Sequence, residues 1–353
     1  MKTKQLAMLL LSCCCFTACV DDKYDFSDVE TDDVVVGDSW IAPLGSGSIS
    51  TKDVVNIEKV PSIRIVNDTY VMVYEGQMNI ETNNMRAASS EMMKIGSELV
   101  NTGDMNGLFE DDFNLMLADP HVKLMTDMTG TSLDCNLGIE ARSAKGTINS
   151  SSDFTLSSAQ PKLWVGPIDP KTSEYMFVKN EQLPKMVSIL PEQLLLTLSA
   201  DVNQWLENPS GVLSTVGYAV EIPLSPAPEF RAISVERVED VFDADFVDYV
   251  FDAGEAIIYG EVENQMPFDL AIEMILVDYN NNPIDIKFPL QEVKGASGKV
   301  EFKITEQDMP KMETARHIDM KLRLSGREQA EALKEGQEVK INLKLKKNGG
   351  IAI

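Results

Sequence analysis

Apolar side chains recur at every second position through the later part of the chain. Ile257 to Val262, Leu270 to Val277, Lys299 to Ile304, Ile318 to Leu324 and Val339 to Leu345 all alternate in this way, which is the period of a strand with one buried face. Asn280-Asn281-Asn282-Pro283 and Lys294-Gly295-Ala-Ser-Gly298 lie between them and read as turns. Ser325 and Glu328 have capping-box spacing and Gly336 stands where a C-terminal cap would, so one short helix is predicted there. Nearer the start, Ile63-Arg-Ile-Val66 and Tyr70-Val-Met-Val-Tyr74 flank Asn67-Asp68, a hairpin signal. Val34-Val35-Val36 and Trp40-Ile41-Ala42-Pro43-Leu44 read as short extended segments. Residues 81 to 107, with Asn83-Asn84, Ser89-Ser90 and several glycines, read as loop or linker.

Part of this pattern occurs twice. Leu108-Phe109-Glu-Asp-Asp112-Phe113 matches Val241-Phe242-Asp-Ala-Asp245-Phe246, and the stretch from His121 matches that from Ala256. Leu133-Asp134-Cys-Asn-Leu137 then aligns with Phe268-Asp269-Leu-Ala-Ile272. Glu181-Gln-Leu-Pro184-Lys185-Met186 echoes Glu306-Gln-Asp-Met-Pro310-Lys311-Met312, and the strands Leu194–Leu198 and Ile318–Leu324 follow. Four matches in one order identify two copies of a unit. At about 120 residues each copy is the size of an immunoglobulin-like sandwich. The expected fold is therefore all-β: two tandem immunoglobulin-like sandwiches, at 101–228 and 229–353, preceded by a hairpin-containing β-rich segment and linker at 34–100.

Composition narrows the class. Of 353 residues 44% are hydrophobic, enough for buried cores. A formal net charge of −25 excludes nucleic acid as a partner, because phosphate is recognised through clustered Lys and Arg. Five cysteines are present. Cys13, Cys14 and Cys15 lie in the expected leader, so with Cys19 modified Cys135 stands alone and no intrachain disulfide is expected.

The beginning of the chain supplies an address. Lys2 and Lys4 precede an apolar stretch from Leu6 to Leu11, and Phe16-Thr17-Ala18 lead into Cys19. A charged head, an apolar core and small residues form a secretory signal, and before a cysteine it resembles a bacterial lipoprotein signal. That resemblance implies lipidation of Cys19, with residues 1–18 as signal peptide. Leu10-Leu11-Ser12-Cys13 is a competing match with a shorter apolar core, and ordinary secretion with cleavage nearby is a further alternative. The apolar run is too short to span a membrane. Residues 19–33 are acidic and read as a solvated tether. Cys19-Val-Asp-Asp-Lys-Tyr-Asp-Phe-Ser-Asp28 resembles the start of surface lipoproteins of the Bacteroides group, which implies an outer-membrane, surface-exposed location; a periplasm-facing anchor is the alternative. Separately, Glu261-Val-Glu-Asn264-Gln-Met-Pro267-Phe268 resembles the late-embryogenesis-abundant type 2 sandwich and implies fold only.

Candidate chemistry is sparse. His121 and His317 lie in no metal-binding spacing and are expected at the surface or at strand ends. Cys135 aligns with Leu270 and is expected to be a small buried hydrophobe. Asp278-Tyr-Asn280-Asn-Asn282 imitates a calcium loop, but Pro283 and Pro289 occupy its two defining positions, so a hairpin turn is expected. Asp112 with Asp245, and Asp134 with Asp269, recur in both copies and read as turn or strand-edge residues. Trp164, in Leu163-Trp-Val165, is assigned to a core strand. Trp205, in an insertion of the first copy from Asp201 to Gly211, and Trp40 are the binding candidates. No catalytic residue, metal or cofactor is assigned. The expected function is a non-catalytic binding or assembly module, with an outer-membrane protein or a polysaccharide as partner and the membrane reached through the lipid. A surface glycoside hydrolase using a carboxylate pair and a fimbria-like subunit joined by strand exchange are the alternatives.

Overall fold

The computed structural model describes residues 39–80, 92–108, 113–128, 132–201, 203–204, 213, 215–242 and 255–348. The chain is all-β, as its periodicity predicts. One sheet runs in the order β4 (Met92–Asn101), β10 (Gln193–Asp201), β6 (Ser132–Ser143), β7 (Gly146–Ser157). A second, six-stranded sheet runs β2 (Ile63–Val66), β3 (Thr69–Asn79), β11 (Thr215–Pro223), β5 (His121–Thr126), β8 (Lys162–Gly166), β9 (Met176–Lys179). The third is β1 (Ser39–Ser50), β18 (Glu338–Asn348), β13 (Glu255–Asn264), β16 (Ser297–Ile304). The fourth is β12 (Arg231–Val238), β17 (Ala315–Gly326), β14 (Phe268–Asp278), β15 (Gln291–Val293). Neighbouring strands are antiparallel except β8 and β9.

The orders coincide two by two. β3-β11-β5-β8 corresponds to β1-β18-β13-β16, and β4-β10-β6-β7 to β12-β17-β14-β15. Each set carries a short helix with proline in its first turn, α1 (Leu183–Ser188) and α2 (Met309–Met312), at the repeated Pro-Lys-Met. Proline is tolerated there because its missing N–H would have no helical partner, and Met186 and Met312 are buried behind it. Strands alternate between core and outer residues, as in β10, where Leu194, Leu196 and Leu198 are buried. The inner faces share one apolar cluster, and Met78 of β3 lies directly beneath Gly96 of β4, where one sheet meets the other.

The strands of 39–101 do not form a segment of their own. β1 lies antiparallel to β18 over its whole length, Ser39 opposite Asn348 and Ser50 opposite Glu338, so it belongs with the strands nearest the end of the sequence. β3 and β4 pair with β11 and β10. Residues 92–101, expected as loop, form β4. A register shift beside Gly96 breaks the alternation there and hides the strand from a period-two reading. The hairpin at Asn67-Asp68 forms as expected, with φ of 50° and 64°, the double left-handed turn that matches strand twist.

The predicted helix after Ser325 is absent. Ser325 ends in β17, and the Arg327 guanidinium is drawn to the carbonyls of Phe268 and Gly295 at 2.8 and 2.9 Å. Leu333 N–H donates to the Leu224 carbonyl and the Leu333 carbonyl accepts from the Tyr70 N–H, which holds this segment against the first copy.

Candidate functional site

The outer face of the six-stranded sheet carries a cluster of charged and aromatic side chains. In β5, Val122 and Leu124 point into the core, so His121 and Lys123 point out. In β8, Leu163 and Val165 are fully buried, so Trp164 between them also points out. The strand is a core strand, as expected, but its tryptophan is on the other face. Register then brings the group together, with Glu221 opposite His121, Trp164 opposite Lys123 and Phe177 beside Trp164.

His121, the first residue of β5, is at a strand end as expected but is 3% exposed rather than on the surface. The Trp164 ring covers it, centroids 3.7 Å apart and planes at 18°. Gly166 leaves room for this arrangement. A Cβ at that position would stand 3.0 Å from both the Trp164 Nε1 and the His121 Cβ. His121 Nδ1 is 2.9 Å from the Asp119 carbonyl and Nε2 is 3.2 Å from Glu221 Oε2. Lys123 Nζ donates to both Glu221 oxygens, at 2.8 and 2.7 Å. The same ammonium sits 4.7 Å from the Trp164 ring centre and 5.9 Å from that of Tyr175, and Tyr175 meets Trp164 edge-on at 5.9 Å. Lys162, 5.7 Å from the Tyr175 ring, is paired with Glu174.

Burial works against the Glu221 charge, but hydrogen bonds from His121 and Lys123 outweigh it and hold the carboxyl at about 2. Asp119 goes the other way. Burial pushes its carboxyl above the ordinary range despite His121 and Lys123 nearby. Its Oδ1 and the Trp164 Nε1 are both buried and find no hydrogen-bond partner among the described residues. Glu221 is thus a permanently ionised brace, unsuited to donating a proton near neutrality. The cluster offers aromatic rings and fixed charge, the chemistry of recognition.

Of the residues singled out in the sequence, those of the signal and tether with Cys19, and likewise Asp112, Trp205 and Asp245, lie outside the described residues. Trp40 is in β1, opposite Lys347. Cys135 is 2% exposed, and burial pushes its thiol up to about 12, away from nucleophilic use. Asp278 Oδ1 accepts from the backbone N–H of Asn280 and Asn282, the expected turn. Asp134 binds Thr155 and Gln204, and Asp269 binds Gly295 and Arg327, so both brace strand edges. Periodicity alone could have placed Trp164 outward, between two core residues. Lys123, Tyr175 and Glu221 carry no sequence signal, because only strand pairing gathers them.

Residues 24–353 match the family described as protein of unknown function (DUF4621). The chain belongs to the DUF4621 family. Its fold is shared with a presumed secreted protein from Parabacteroides distasonis ATCC 8503, known from a crystal structure. The two are 57% identical, the match covers 88% of this chain and 100% of that one, and the TM-score is 0.82. A bacteriophage CBA120 tailspike protein (9% identity, 36% of this chain and 14% of that one, TM-score 0.19) and the VP2 protein of infectious bursal disease virus (8% identity, 82% and 72%, TM-score 0.21) are too remote to bear on a DUF4621 protein's function. No curated protein matches the chain.

Proposed function

We propose that this DUF4621 protein is a non-catalytic binding or assembly module, lipid-anchored through Cys19 to the outer membrane, exposed at the cell surface and accessory to glycan uptake or adhesion. The observation that carries the binding role is the Trp164–Tyr175–Lys123 cluster on an outer sheet face. Aromatic rings braced by fixed charge suit stacking against the faces of sugar rings better than proton transfer. The presumed secretion of the Parabacteroides relative supports an address outside the cytoplasm. The charged, apolar and small-residue sequence before Cys19 supports the anchor.

Mild cross-linking of native cells and purification of the full chain test this directly. An outer-membrane protein in fixed ratio, or a retained polysaccharide, is the expected result. Where a polysaccharide is retained, Tyr175→Ala should weaken its binding about tenfold, or ~1.4 kcal/mol, with the melting temperature little changed. Recovery of the chain without any partner, together with no binding to a polysaccharide panel, would remove the proposal. Polysaccharide cleavage that survives Tyr175→Ala and is lost on one carboxylate substitution would replace it with the hydrolase.

A further inference from the structure

Every open sheet has two edges, and an unprotected edge strand is a template for another strand. The four sheets here have β1, β16, β4, β7, β2, β9, β12 and β15 at their edges. Seven are blunted by recognisable means. β2, β9 and β15 are 4, 4 and 3 residues long. β1 contains Pro43 and a bulge, and β4 contains Lys94, Glu98 and a bulge. β12 carries Arg231, Glu236 and Arg237, and β16 carries Lys299, Glu301 and Lys303. β7 has none of these devices. Its 12 residues, GTINSSSDFTLS, include one charge, Asp153, no proline and no bulge against β6.

The hydrogen-bonding direction of β7 follows from its neighbours. Thr102 N–H donates to the Glu192 carbonyl, so from Leu194 to Leu198 the even-numbered residues of β10 bond toward β4 and the odd ones toward β6, while the Glu192 N–H just before the strand donates to the Arg142 carbonyl on the β6 side. The same alternation turns the odd residues of β6 to β7, where they meet Ile148, Ser150, Ser152, Phe154 and Leu156. The backbone groups of Thr147, Asn149, Ser151, Asp153 and Thr155 therefore face the open edge. Their side chains are exposed as well, and no hydrogen bond from another described residue reaches those backbone groups.

We infer that β7 is a self-association surface, pairing antiparallel with β7 of a second copy of this chain about a two-fold axis at Ser151. The sequence is self-complementary in that register. Thr147 falls opposite Thr155, Asn149 opposite Asp153, and Ser151 opposite itself, so each carboxylate meets an amide and no like charges meet. All five residues with outward backbone groups find partners at once. The two four-stranded sheets become one continuous sheet. For a chain of net charge −25 the approach of a second copy is least opposed where the surface is nearly neutral, and β7 is such a place. The dimer should therefore tighten as salt rises, opposite to an interface held by ion pairs.

The test is cross-linking of the full chain on intact cells, followed by sedimentation of the detergent-extracted protein. Ser151→Cys should give a disulfide-linked dimer, because paired residues about 5.5 Å apart at Cα lie within disulfide reach. Thr147→Cys should cross-link only when combined with Thr155→Cys. Ser151→Pro leaves the monomer intact, since that N–H has no partner there, and should weaken the dimer at least tenfold. A dimer that survives Ser151→Pro, a wild-type chain that sediments as a monomer, or Ser151→Cys linked only to a different protein would each overturn the assignment.

Discussion

At the residue scale, Glu221 makes the sharpest prediction. Its carboxyl is held at about 2 in the fold against 4.5 when free. A depressed folded value means stability is fully present above 4.5 and is lost as pH falls through the interval down to about 2. The difference converts to on the order of 3 kcal/mol. Glu221→Gln should lower stability at neutral pH by up to that amount. It should also flatten the acid limb of the melting temperature measured from pH 7 to pH 2. An acid limb as steep as the parent's would mean that other carboxylates set it. Gly166→Ala should cost about 1–3 kcal/mol, because the new methyl falls 3.0 Å from His121 and Trp164 in a site with no slack. A melting temperature unchanged by that substitution would show that the Trp164 ring can lift away.

At the scale of elements, β1 decides where the second sandwich can be cut. Its sequence, SWIAPLGSGSIS, is poor in β-branched residues and rich in glycine and serine, so local propensity barely marks it as a strand. It is a strand because β18 supplies a ladder opposite it. A fragment of residues 229–353 lacks β1 and exposes the edge of β18. It should unfold without a cooperative transition or aggregate, as judged by circular dichroism and sedimentation. Ser39 and Asn348 are opposite one another, so fusing residues 39–50 behind Asn348 through a short turn should restore a cooperative transition. A fragment of 229–353 that melts as sharply by itself would refute the dependence. The repeat matches from Leu133 and from Glu181 identify strands and helices at equivalent places in the two copies, but sequence similarity carries no sign that the first sandwich interrupts the second.

At the scale of the whole molecule, charge is the dominant fact. With 56 acidic against 31 basic residues, the chain repels itself at low ionic strength. Raising salt from about 10 mM to about 150 mM shortens the screening distance from roughly 30 to 8 Å. The melting temperature should rise with it, whereas a fold held chiefly by surface ion pairs would soften. Differential scanning calorimetry across that range distinguishes the two. The described ion pairs are mostly solvent-facing, as with Lys299–Glu261 and Lys179–Glu181, and such pairs contribute little.

The alternating runs from Ile257 to Leu345, the Asn67-Asp68 turn and the doubled Pro-Lys-Met are local signals, and local signals determined the all-β class, the hairpin and the existence of two related copies. Their information is contained in neighbouring residues, where burial of one face or a left-handed turn is enough to fix the outcome. The pairing of β1 with β18, the refusal of 325–336 to become helical and the gathering of His121, Lys123, Trp164 and Glu221 were decided by tertiary structure. Each depends on backbone hydrogen bonds or side-chain contacts between residues tens to hundreds of positions apart, and no periodicity in a single stretch records which distant strand will lie alongside.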